Sequence, residues 1–203
     1  MIQTWIADAA SLLNKEIYQK HYDLVPKWRQ EKADKIRFKE DKALSIGAWT
    51  LYEKMKKAYN LKDDAPFNIS HSGSYVLCSI EDSGDVSVMV GCDLEQIKEP
   101  RMKMARRFFS ENECKWVEAN SENFYRFWVL KESFVKATRL GLKLGLDTFE
   151  IDITEERPVL MRKPEEIKGD YYFKEYGLEG VSYRIAVCAN KNEFAENIIV
   201  VNL

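Results

Sequence analysis

The stretch Trp128-Val129-Leu130-Lys131-Glu132-Ser133-Phe134-Val135-Lys136 constrains this chain more than any other. At helical spacing Phe127, Leu130, Phe134 and Ala137 form an apolar stripe that must seat in a core. Glu132 and Lys136, four residues apart, share another face, with Trp128 one turn before them. Upstream, Val86-Ser87-Val88-Met89-Val90-Gly91-Cys92-Asp93 is short and rich in β-branched residues, so it reads as a strand ending at Asp93. A period of two puts Asp93 and Glu95 on one side of it. Carboxylates from a strand end and a helix, with lysines beside them, suit a hard divalent cation on a polyphosphate. Each motif alone also reads as a solvated strand end or an ordinary helix face.

Composition narrows the alternatives. With 203 residues, 45% hydrophobic and 32% charged, the chain is globular and able to bury a core. No apolar run reaches the length of a membrane span. The first residues carry no basic leader or cleavage site, and the four cysteines form no C-x-x-C pair; the expectation is a cytoplasmic protein with reduced thiols. Only His21 and His71 are present, which argues against a multi-histidine metal centre. A net charge of −2 gives no reason to expect nucleic-acid binding. Charge is uneven, however: from Lys98 to Arg107, five basic residues face Glu99 alone.

The expected elements are an opening strand, a helix over Ser11–His21, and helices over Lys27–Arg37 and Asp41–Tyr59. A strand at Tyr75–Ile80 follows the Ser/His/Ser/Gly cluster of residues 70–73. Pro100 is the candidate boundary between halves. Beyond it come a helix over Met102–Phe109 and a second beginning at Ser110, where Ser110-Glu111-Asn112-Glu113 fits a capping box. The Trp128 helix ends near Gly141. Strand-like runs follow at Phe149–Ile153, Tyr171–Tyr176, Tyr183–Ala189 and Ile198–Val201. The class is α+β. There is no G-x-S-x-G elbow, G-x-G-x-x-G or P-loop, so hydrolase, dinucleotide and ordinary nucleoside triphosphate machinery are not expected.

Phe67-Asn68-Ile69-Ser70-His71-Ser72-Gly73, then Gly91-Cys92-Asp93-Leu94-Glu95, then Phe108-Phe109-Ser110 with Glu113, then the Trp128–Lys136 stretch occur in that order. Together with Arg37–Asp41 and Gly141–Phe149, this series resembles the 4′-phosphopantetheinyl transferase superfamily, specifically its larger, two-halved Sfp type. The resemblance implies two similar α+β halves related by a pseudo-twofold, residues 1–97 and 98–203, acting as a monomer with the site in the cleft. It implies transfer of the 4′-phosphopantetheine arm of coenzyme A to a serine of an acyl or peptidyl carrier protein, with release of adenosine 3′,5′-bisphosphate. Asp93, Glu95 and Glu132 would hold Mg²⁺; Lys131 and Lys136 would neutralise phosphate charge; Ser70 and His71 would contact coenzyme A phosphates. Glu132 is the preferred base, with Lys136 beside it, and Arg29 and Lys32 fall where the family binds the 3′-phosphate. Glu113 is assigned chiefly to the capping box. The family's Gly-Lys-Pro segment is missing before Phe67, leaving Lys62 as the nearest substitute. The Lys98–Arg107 run would steer an acidic carrier, with Met102, Met104 and Phe109 as apolar contacts or core. The alternative is a catalytically silent module of the same fold that binds coenzyme A or a carrier; the presence of all three carboxylates ranks it lower.

Overall fold

A computed structural model describes residues 1–203, the side chain of Leu142 aside. Alternation in β1 (Ile2–Asp8) buries Ile2, Thr4 and Ile6. A 3₁₀ turn at Ala10–Leu13 takes the start expected for the first helix; Asn14 then caps α1 (Lys15–Leu24) by accepting the amides of Glu16 and Ile17. Pro26 precedes α2 (Lys27–Asp34), and α3 (Lys39–Ala58) follows. The Ser/His/Ser/Gly segment is a strand, β2 (Phe67–Ser72), joined to β3 (Tyr75–Glu81) through Gly73 at φ +59°. Glycine suits that turn because it has no Cβ to clash in the left-handed region.

β4 (Val90–Gln96) begins later than expected and runs past Asp93. The cause is local: Asp85 accepts both the amide and the hydroxyl of Ser87, which folds residues 85–88 into a turn. The second part of the chain holds α4 (Met102–Phe108), α5 (Glu111–Ala119) and α6 (Asn123–Thr138). β5 (Glu150–Asp152), β6 (Val159–Arg162), β7 (Tyr172–Tyr176), β8 (Tyr183–Ala189) and β9 (Ile199–Asn202) complete it. The capping box before α5 is present in both directions. α6 ends at Thr138, close to the expected Gly141, with Arg139 as its C-cap at φ 58°.

The strands form a sheet of order β2-β3-β1-β9, a second of order β4-β8-β7, and the hairpin β5-β6. Pro100 therefore does not divide the sheets. β4 lies before it yet pairs with β8, and β9 lies after it yet runs parallel to β1. The residue ranges 1–97 and 98–203 exchange strands. One face of the first sheet packs on α3 through Val76, Cys78 and Ile80 against Leu44, Leu51 and Met55. Its other face meets the second sheet through Ile2, Ile6 and Leu77 against Cys92, Leu94 and Val187. α6 covers the far side, with Phe127, Leu130, Phe134 and Ala137 in one cluster with Phe149, Phe173 and Cys188. All four cysteines are free. Among the described residues, no helix is long and apolar enough to cross a membrane.

Candidate active site

The site lies on the seam where the outer strands of the two sheets, β2 and β4, run side by side. The seam is stitched by alternate β2 side chains, which one face of a strand presents together. Asn68 Oδ1 accepts the Cys92 amide at 3.0 Å, Ser70 Oγ donates to Asp93 Oδ1 at 2.8 Å, and Ser72 Oγ donates to Glu95 Oε2 at 2.6 Å. Sequence reading assigned no role to Asn68 or Ser72; their alternation with Ser70 was the available signal.

α6 lies directly on this seam because Gly91 lets it. A Cβ at Gly91 would stand 2.1 Å from the Ser133 carbonyl oxygen and 2.3 Å from the Ala137 nitrogen. With the helix that close, Lys136 Nζ reaches Asp93 Oδ1 at 2.7 Å, Ser70 Oγ at 2.8 Å and the Cys92 carbonyl at 3.1 Å. Burial opposes a charge on Lys136, but Asp93, Cys92 and Glu132 together outweigh it and the amine's pKa is raised. Glu132 and Glu95 are pushed the other way for carboxylates: burial raises both, and the negative charge of Asp93 adds to it. Asp93 Oδ2 is buried without a partner.

Those observations bear on a cation. Among the described residues, no three acidic, histidine or cysteine side chains already stand close enough to bind one metal ion. The donor chemistry nevertheless fits Mg²⁺, which takes oxygen ligands and retains waters. Asp93 offers an unpartnered oxygen, and two further carboxylates are held above their ordinary pKa by burial and, second to it, by repulsion from Asp93.

Cavities open on either side. On the β2 side, Arg29, Lys32, Asp41, Ser45 and His71 line a space of about 360 Å³. Arg29 is only 5% exposed, its Nε and the Ser45 hydroxyl have no partner, and its guanidinium lies 5.2 Å from the Trp49 ring centroid. A buried, unpaired guanidinium calls for an anion. His71 stands at the mouth, where burial and then Lys136 lower its pKa. Lys62 is not among the residues lining this cavity. On the α6 side, Glu132 and Lys136 line a larger space of about 680 Å³ walled by Phe108, Trp128, Val135 and Leu144.

Lys131 is the residue the structure does not bring to the site. Its side chain is 0% exposed and turns away from the seam, with Nζ 2.8 Å from Glu113 Oε1 and 2.8 Å from the Phe149 carbonyl. The Nζ also lies 4.2 Å from the Phe149 ring centroid. Its helix position, one step round from Glu132, points into the core, so the phosphate role expected for it is corrected to a buried ion pair. Glu113 does three things at once: it accepts the Ser110 amide, the Ile151 amide and the Lys131 charge. In the basic run, Arg106 pairs with Glu118 at 3.3 Å, whereas Arg107 lines the larger cavity. Phe109 is core, and Met102 and Met104 pack against it.

A cavity lined by the unpaired Arg29, the seam of Asp93, Glu95 and Lys136, and a larger apolar chamber thus stand side by side. Comparison with known proteins gives the particular family. Residues 89–188 match the family model of the 4′-phosphopantetheinyl transferase superfamily. The chain is 35% identical over 144 residues to the 4′-phosphopantetheinyl transferase Sfp of Bacillus subtilis, covering 68% of this chain and 61% of that protein. It is 32% identical over 137 residues to 4′-phosphopantetheinyl transferase psf-1 of Bacillus pumilus, covering 65% of this chain and 56% of that one. Against 4′-phosphopantetheinyl transferase gsp of Aneurinibacillus migulanus, identity is 35% over 105 residues, 49% of this chain and 42% of the relative. The chain thus spans about three fifths of the first of these relatives. It belongs to the 4′-phosphopantetheinyl transferase superfamily.

Proposed function

We propose that this chain transfers the 4′-phosphopantetheine arm of coenzyme A to a serine hydroxyl of an acyl or peptidyl carrier protein. The observation that carries the reading is the placement of Lys136, Asp93 and Glu132 between a cavity with a buried, unpaired Arg29 and a larger apolar one. Arg29 and Lys32 take the adenosine 3′-phosphate, and His71 and Lys136 take the pyrophosphate. The apolar chamber admits the arm and the incoming serine.

The serine oxygen forms a bond to the β-phosphorus as the bond to the bridging oxygen breaks, and adenosine 3′,5′-bisphosphate leaves. Glu132 takes the serine proton, directly or through a water. Burial and the charge of Asp93 raise its pKa, which makes it a better base than a solvated glutamate. Lys136 neutralises charge on the phosphoryl oxygens, and Ser70 holds Asp93 and Lys136 in register. Asp93, Glu95 and Glu132 would hold Mg²⁺, which supplies charge withdrawal from the phosphoryl oxygens when bound. The unit acts as a cytoplasmic monomer, since both sides of the seam come from one chain.

The test is mass spectrometry of an apo carrier protein incubated with this chain, coenzyme A and Mg²⁺. A gain of one phosphopantetheine mass on the acceptor serine is the expected result. An unmodified carrier, across fatty acid, polyketide and peptide synthesis carriers alike, overturns the reading.

A further inference from the structure

We infer that Arg139 is a specificity-determining residue that reads an acidic side chain on the carrier protein; the inference rests on the transferase reading above. Its starting point is strain. Among the described residues, two non-glycine positions have positive φ, Asn60 at 52° and Arg139 at 58°. Asparagine tolerates the left-handed region well, whereas an arginine Cβ crowds the following carbonyl there. Gly141, two residues on, has the same conformation, and nothing would lie within 4 Å of a Cβ there. Glycine is the residue that ends most helices at such a turn. The helix stop itself needs only the 139 amide, which donates to the Lys136 carbonyl at 3.2 Å. The guanidinium is surplus to the fold, and strain retained at a site edge points to a use.

Its surroundings say which use. Arg139 is exposed and lines the chamber that holds Glu132 and Lys136, and its side chain has no hydrogen bond or ion pair among the described residues. Arg107 stands on the same wall, likewise without an ion pair. Asp147 is the one acidic lining residue besides Glu132. The lining of an apolar chamber therefore carries two cations without an ion pair, Arg107 resting on the Phe108 ring at 5.1 Å. The nucleotide phosphates have their own cations in Arg29, Lys32 and His71, which line the other cavity. An exposed arginine at the open side of the chamber meets the protein that enters there. Its effect falls on encounter and orientation of that protein, not on the chemical step.

The experiment compares wild type, Arg139→Gly and Arg139→Lys, using one apo carrier protein, coenzyme A and Mg²⁺. Relief of the left-handed strain should hold or raise the Tm of Arg139→Gly, by about 2 °C. Its KM for the carrier should rise about threefold, the size of one exposed charge pair, and lose salt sensitivity. The KM for coenzyme A and kcat should stay put, and Arg139→Lys should recover the carrier KM. An unchanged carrier KM, or a lower Tm in Arg139→Gly, means that Arg139 serves only the helix end and overturns the inference. A raised coenzyme A KM moves the residue to the nucleotide side and overturns it too. Those outcomes leave transfer by the wild type intact; a wild type that transfers nothing fails the transferase reading itself, and this inference with it.

Discussion

Replacing Lys131 with methionine separates a phosphate ligand from a buried strut. Methionine is close in volume, so packing around Phe149 changes little. What is lost is the charge 2.8 Å from Glu113, a carboxylate whose side chain is 1% exposed. Glu113 keeps the Ser110 amide at 2.8 Å and the Ile151 amide at 2.9 Å, so it stays hydrogen-bonded but loses its counter-ion. Breaking one side of a buried pair costs about 3–5 kcal/mol. For a chain of 203 residues, each kcal/mol moves Tm by about 2–4 °C, so a fall of about 10 °C follows. Adding Glu113→Gln should win back only part of it: no charge remains unpaired, but the Ser110 and Ile151 amides donate to different oxygens of Glu113, and glutamine offers one. Coenzyme A affinity, measured by calorimetry well below the melting range, should stay within about twofold, less than 1 kcal/mol. An unchanged Tm together with lost coenzyme A binding refutes the reasoning and returns Lys131 to the phosphates.

Chelation with EDTA should abolish transfer and Mg²⁺ restore it; Asp93→Ala should remain folded and lose most activity, and full turnover in EDTA would remove the metal role. His71 titrates below 6.5 because burial, then Lys136, disfavour its cation, so its share of stability is complete above pH 6.5 and is lost as pH falls below that value. Coenzyme A phosphates beside it should raise this pKa, which a histidine proton NMR titration follows with His21 as internal reference; no movement means the phosphates sit elsewhere. Arg107→Glu should raise the carrier KM and weaken its salt dependence, while Arg106→Glu changes it less because Glu118 already partners Arg106. Equal effects from the two would contradict that division.

What could be read in advance was what neighbours in sequence decide. The Ser110–Glu113 capping box is local, and it formed. The apolar stripe of α6 was legible for the same reason, and it also put Glu132 and Lys136 on one face. Lys131 was misread because the groups that bury it, Glu113 and the Phe149 carbonyl, reach it only through the tertiary fold. β6 escaped notice because it is short and its side chains are largely exposed, so no clean alternation marks it. The start of β4 was set by an Asp85 turn that competes with β-branched residues for the same segment. The strand exchange that brings β4 beside β8 and β9 beside β1 leaves no local trace at all.

The absent side chain at Gly91 has a mechanical corollary. Glu132 and Lys136 ride on one rigid rod, and the clearance beneath that rod is set by a hydrogen where other residues carry a carbon. Glu132 and Lys136 are therefore ganged: whatever lifts the rod withdraws both from Asp93 at once, and whatever seats it delivers both. Fine adjustment of one against the other is left to side-chain torsion alone. The separation between the carboxylates of β4 and the one on α6 thus behaves as a single coordinate, the height of a helix over a strand, and the tightest stop on that coordinate is an atom this chain does without.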